Sequence, residues 1–146
     1  LANEVHQRLH GKQYAKLLSN MYGNKPDTFH PKLVGLERMR AIINVFTRMR
    51  FCSPRGTIAF GDKGAPGTQK PGLYPWFTVP GHAPRGMKMV FGHWSTLGLY
   101  MGMGIHGIDT GCVWGGKLTA LALDDETPRL VQVAGKETSK PTTGGN

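Results

Sequence analysis

The chain is 146 residues long and 39% hydrophobic, enough for one domain with its own core, and its 21 glycines and 10 prolines argue for short strands and much loop rather than a helical bundle. Eighteen Lys and Arg against nine Asp and Glu give a formal net charge of +9, which suits an anionic partner: nucleic acid, a phosphate-rich small molecule, or an acidic remainder of the same polypeptide. The basic residues are scattered, with Arg38-Met39-Arg40 and Arg48-Met49-Arg50 the densest clusters, so a polybasic tail is excluded.

No apolar run approaches the length of a membrane span, and no signal peptide opens the sequence. Cys52 and Cys112 form neither a C-x-x-C pair nor a zinc spacing, which points to a reduced, cytoplasmic setting. Leu1 is not a methionine and stands inside a helical pattern. The expectation is therefore the carboxyl-terminal part of a longer protein.

Val5, Leu9, Leu17, Leu18 and Met21 recur near a helical period, with Gly11 weakening or bending that helix. Residues 21–27 read as a turn. Gly23-Asn24 is followed by lysine, so it is not the Gly-Asn-His of a phosphoesterase. Pro31 suits the first position of a second helix, in which Leu36, Met39, Ile43 and Phe46 make one apolar stripe, with Glu37, Arg40 and Asn44 off it.

If residues 47–52 are extended, Arg48 and Arg50 share one face and Met49 and Phe51 the other. Two adjacent guanidiniums form a fork for phosphate oxygens; a solvated face or an ion pair is the plainer alternative. Ser53-Pro54-Arg55-Gly56 predicts a turn and residues 57–60 a short strand. Residues 61–75 read as surface loop, Asp62 included, and residues 74–80 as an edge strand between prolines. Trp76 there suits core packing or stacking on a base. His82 and His106 read as loop histidines, the latter facing solvent.

Met89 to Phe91 is a short apolar run that stops at Gly92-His93-Trp94, the pattern of a buried strand delivering a polar side chain at its carboxyl end. By itself a Gly-His pair also fits a loop or core histidine. A second strand reaches Asp109, which either orients His93 or caps the turn after it. The chain returns from Lys117, turns at residues 124–128 and ends in a strand over 129–133. Residues 134–146 form a tail of disordered composition.

Gly92-His93-Trp94, then Ile108-Asp109-Thr110-Gly111-Cys112-Val113-Trp114-Gly115-Gly116-Lys117-Leu118-Thr119-Ala120-Leu121, resembles the closing segment of the calcineurin-like metallophosphoesterases. Within them the chain looks most like the symmetrical diadenosine tetraphosphatases, and Phe46 to Cys52 and Met21 to Pro26 extend the likeness across residues 1–133. The resemblance implies an α/β (α+β) fold: the carboxyl-terminal part of a four-layer αββα sandwich, two helices followed by a mixed or antiparallel sheet. It implies that His93 ligates one of two divalent cations, manganese or cobalt, and that Arg48 and Arg50 bind a dinucleoside polyphosphate.

The remaining metal motifs of the family, Asp-x-His, Gly-Asp and Gly-Asn-His, are absent, so a missing amino-terminal half is the implied partner and this chain alone is expected to be inactive. Two other readings stay open. One is a serine/threonine protein phosphatase of the same superfamily. The other is a non-enzymatic basic module binding RNA or another polyanion, against which stands the lack of a basic stripe or nucleic-acid signature.

Overall fold

The computed structural model describes residues 1–81, 86–124 and 128–136. Its contacts group into two compact units, Leu1–Lys63 with Gly67–Ala83, and Gly64–Pro66 with Pro84–Asn146. Helices accompany mixed and antiparallel sheets, so the class is α+β, as expected.

In the first unit the single bent helix expected at the start is two helices, α1 (Ala2–His10) and α2 (Tyr14–Asn20). Gly11 leaves the helical region (φ −86°, ψ 168°), and the interruption resets the helical phase. Leu17 consequently turns inward against Met39 and Ile42, with Val5, Met21, Phe29, Leu36 and Ile43 at the margin of that cluster. Leu9 and Leu18, expected on the same stripe, are exposed.

Helix α3 (Gly35–Arg48) begins four residues later than Pro31 suggests. A turn closed by the Leu33 N–H on the His30 carbonyl comes first, and the chain enters the helix through Gly35 at φ +59°, a conformation that glycine adopts freely. Met39 faces the core as expected, but Phe46 is exposed and Asn44, placed on the outer face by its polarity, is buried. Its amide is satisfied inside: Nδ2 donates to the Gly23 carbonyl at 2.9 Å and Oδ1 accepts from Arg48 Nη1 at 3.0 Å.

After α3, strand β1 (Phe51–Cys52) pairs antiparallel with β2 (Tyr74–Pro75). The predicted turn at residues 53–56 is present: Gly56 N–H donates to the Ser53 carbonyl and Ser53 N–H to that of Thr57, returning the chain so that Ile58 bridges Cys52. The edge strand expected over 74–80 shortens to its first two residues. Trp76–Thr78 instead winds into a 3₁₀ turn, with the Thr78 hydroxyl donating to the Pro75 carbonyl at 3.1 Å.

In the second unit β3 (Met89–Phe91), β4 (Tyr100–Gly102) and β5 (Ile105–Gly107) form a sheet in the order β3-β5-β4, with β3 parallel and β4 antiparallel to β5. The β4–β5 turn is tight at Gly104, where a Cβ would stand 2.5 Å from the Met87 carbonyl oxygen. His106 is not the solvent-facing loop residue expected. It occupies the middle of the central strand, 8% exposed, with Nδ1 3.3 Å from Met101 Sδ. Neighbours on both sides cover it, a circumstance set by sheet order rather than by the flanking glycines.

Strands β6 (Lys117–Ala122) and β7 (Arg129–Ala134) make an antiparallel ribbon, one residue longer at its end than expected. The turn expected at 124–128 falls mostly on residues 125–127, and much of the expected tail on 137–146; both stretches lie outside the described residues, as does His82.

Candidate functional site

Parallel pairing of β3 with β5 sends both strands toward the same end. The ladder continues past the strands, with Ile108 N–H donating to the Phe91 carbonyl at 3.0 Å. Gly92 and Asp109 are thereby drawn together: a Cβ on Gly92 would lie 3.9 Å from that of Asp109. His93 and Asp109, each two residues past its strand, thus stand at the carboxyl end of one sheet, where open sheets hold their ligands.

The backbone at His93 is unusual. Its φ is +69°, in the left-handed region that a side chain adopts at a cost of about 1 kcal/mol or more. The next residue supplies the anchor. Trp94 is 1% exposed and its indole N–H donates to the Gly64 carbonyl at 2.9 Å, while His93 itself is exposed. A fixed tryptophan and a tight 3₁₀ turn at Ser95–Leu97 hold the preceding residue out of the sheet.

Asp109 makes the turn-capping contact: Oδ1 accepts the Gly111 N–H at 3.2 Å, an Asx turn. Behind it the Thr110 hydroxyl donates to the Lys117 carbonyl, and Gly116 stands where no side chain fits, since a Cβ would lie 2.1 Å from the Thr110 carbonyl oxygen. The Thr-Gly-Cys-Val-Trp-Gly-Gly-Lys block is therefore a folded corner that fixes Asp109.

Arg48 and Arg50 belong to the first unit and do not form the fork expected of alternate strand positions. Arg48 ends α3, Met49 is the extended residue after it, and Arg50 precedes β1. The Arg48 guanidinium donates through Nη1 to the Gly23 carbonyl and Asn44 Oδ1, both at 3.0 Å, and through Nη2 to Asn24 Oδ1 at 2.8 Å. It also lies 5.0 Å from the ring centre of Tyr22 and 4.4 Å from that of Phe60. Arg50 accepts the Trp76 N–H on its carbonyl at 2.9 Å.

A polar stripe went unread in the sequence. Arg40, Asn44 and Arg48 recur every four residues along α3 and so share one face. Arg40 donates to the Asn20 and Lys25 carbonyls, Asn44 and Arg48 to that of Gly23. Together they clamp the Met21-Tyr22-Gly23-Asn24-Lys25-Pro26 segment. The four-residue spacing was the available signal, and the assumption that 47–52 were extended hid it.

Among the described residues no group of three or more His, Cys, Asp or Glu side chains could hold a metal ion. A two-cation centre therefore does not fit the donors of the described residues alone: the sheet end offers one imidazole and a carboxylate already engaged in a turn. Cys52 is buried, and that burial pushes its thiol pKa upward. No helix among the described residues is long and apolar enough to cross a membrane.

No family model matches the chain. Curated relatives do. Symmetrical bis(5′-nucleosyl)-tetraphosphatase of Xanthomonas campestris pv. campestris is 61% identical over 142 residues, 97% of this chain and 44% of the relative. The protein of the same name from Xanthomonas oryzae pv. oryzae is 61% identical over 140 residues, 96% of this chain and 44% of its own length. That of Xylella fastidiosa strain M23 is 60% identical over 141 residues, 97% and 48%. Over nearly its whole length the chain is thus similar to the symmetrical bis(5′-nucleosyl)-tetraphosphatases, while spanning less than half of each.

Proposed function

We propose that the chain is the carboxyl-terminal portion of a calcineurin-like hydrolase that splits diadenosine tetraphosphate symmetrically into two ADP in the cytoplasm. The observation that carries this reading is the 61% identity over 97% of the chain to an enzyme of that name. In the complete protein His93 would give one imidazole to a centre of two divalent cations, manganese or cobalt, whose other ligands lie outside this chain. When bound, such a pair lowers the pKa of a water and holds phosphate oxygens.

The chain's own contributions are positional. Trp94 and the strained backbone at residue 93 fix where the imidazole stands. Asp109 secures the corner beside it and, in this reading, orients His93 through that corner. Arg50 is the arginine assigned to the polyphosphate; Arg48 supports it by holding residues 22–24 against α3.

The test is product analysis with the complete polypeptide and with the 146-residue chain. The complete polypeptide should release only ADP from diadenosine tetraphosphate in the presence of manganese or cobalt. His93→Ala should lower that rate by more than about 100-fold, and the isolated chain should be inactive. ATP with AMP as products, phosphate release from a phosphopeptide, or turnover by the isolated chain would each overturn it.

A further inference from the structure

Helix α1 carries two histidines that the hydrolase reading leaves unused. His6 and His10 are four residues apart, the spacing that sets one side chain above another on a helix. Both are exposed. Their rings meet, with centroids 4.2 Å apart and planes tilted by 37°.

A hydrogen bond decides which nitrogen of His10 is available. Its Nδ1 lies 3.0 Å from the His6 carbonyl oxygen. A carbonyl oxygen only accepts, so Nδ1 carries the proton, and the neutral ring keeps its lone pair on Nε2. Metal-ligating histidines are commonly held in this way, one ring nitrogen donating to a carbonyl and the other left to coordinate. Two imidazoles on one cation, each bound at about 2.0–2.1 Å as in zinc sites, set their rings at a comparable separation. Small side-chain rotations therefore close the pair into a chelate. Arg8, the other basic residue of the last turn, is two positions from each histidine and so about 200° around the helix axis. It lines a cleft with Gln13, Lys16 and Gly35 instead.

We propose that His6 and His10 form a surface site on α1 for a divalent cation that favours imidazole: nickel, copper or zinc. Two protein donors leave the remaining positions to water, so the ion is exchangeable. The site has a conformational consequence. Helix α1 has nine residues and none of them is buried, which is short for a helix to persist on its own propensity. A cation spans positions 6 and 10 only where that turn is helical, so binding stabilises α1 by linkage.

Nickel alone, titrated into the 146-residue chain, tests the site. Calorimetry should show saturable binding that His6→Gln and His10→Gln each weaken at least about tenfold, since either leaves one imidazole of the pair. His30→Gln, at another exposed histidine, should leave the affinity unchanged. Saturating nickel should raise the melting temperature of the parent and not that of the His6 or His10 variant. Glutamine suits an exposed helix position, and circular dichroism without nickel checks that each variant is folded. In the parent itself, paramagnetic broadening of amide NMR signals by substoichiometric nickel should begin at residues 6–10.

A parent chain that binds no nickel overturns the proposal. So does an affinity unchanged in either variant, or broadening centred on other residues, because the stacked pair is then only a helix-surface contact.

Discussion

The backbone of His93 invites a comparison of what serves stability with what serves chemistry. A left-handed conformation is one that glycine tolerates and histidine resists. His93→Gly should therefore melt no lower than the parent chain, by differential scanning calorimetry, while sharing the loss of turnover assigned to His93→Ala. A variant that instead melts several degrees lower would mean the imidazole serves the fold. That this residue follows a strand was legible in the sequence, because the apolar run stops at Gly-His-Trp, but the strand is not the buried one expected, since Val90 at its centre is exposed. The strain at His93 was not legible, since φ depends on where Trp94 is anchored, and that anchor is the Gly64 carbonyl, thirty residues away. His106 failed for a related reason: local glycines suggested a loop, and only the order β3-β5-β4 put it inside.

Among the elements, α1 and α3 are joined by a paired contact, Arg38 Nε and Nη2 to the two Glu4 oxygens at 2.7 and 2.8 Å. The Arg38 hydrogen bonds hold the Glu4 carboxyl below its ordinary pKa. A depressed carboxylate stabilises the fold above its unfolded pKa, and the contribution is lost as pH falls through the folded one. Glu4→Gln should consequently lower the melting temperature at neutral pH. The gap from the parent should close as the solution is taken below the usual carboxylate range, and should narrow in high salt. The corner before β6 makes a sharper demand. Gly116→Ala would drive a methyl into the Thr110 and Gly111 carbonyls, at a cost of about 2 kcal/mol or more, visible as a reduced denaturation midpoint. Periodicity found α3 because its Met39 face is amphipathic. It missed Asn44 because a buried amide looks like a surface one until its partners, Gly23 and Arg48, are known.

At the scale of the whole molecule, the class and the strand-end histidine could be read from the chain because both follow from local pattern. The burial of its surfaces could not. A strand that alternates Leu118, Ala120 and Ala122 with Thr119 and Leu121 gives no indication of which side meets water, and the ribbon settles it with Thr119 buried, Leu121 half-buried and Leu118 exposed. A ribbon that leaves Leu118, Val131 and Val133 exposed has a colloidal consequence for the isolated chain. The common positive charge opposes association of copies, and that repulsion reaches about 10 Å in 0.1 M salt but only about 3 Å in 1 M. Light scattering should record rising turbidity as sodium chloride is added, the reverse of ordinary salting-in, and Val131→Lys should restore clarity by placing a cation where the strands would otherwise stack.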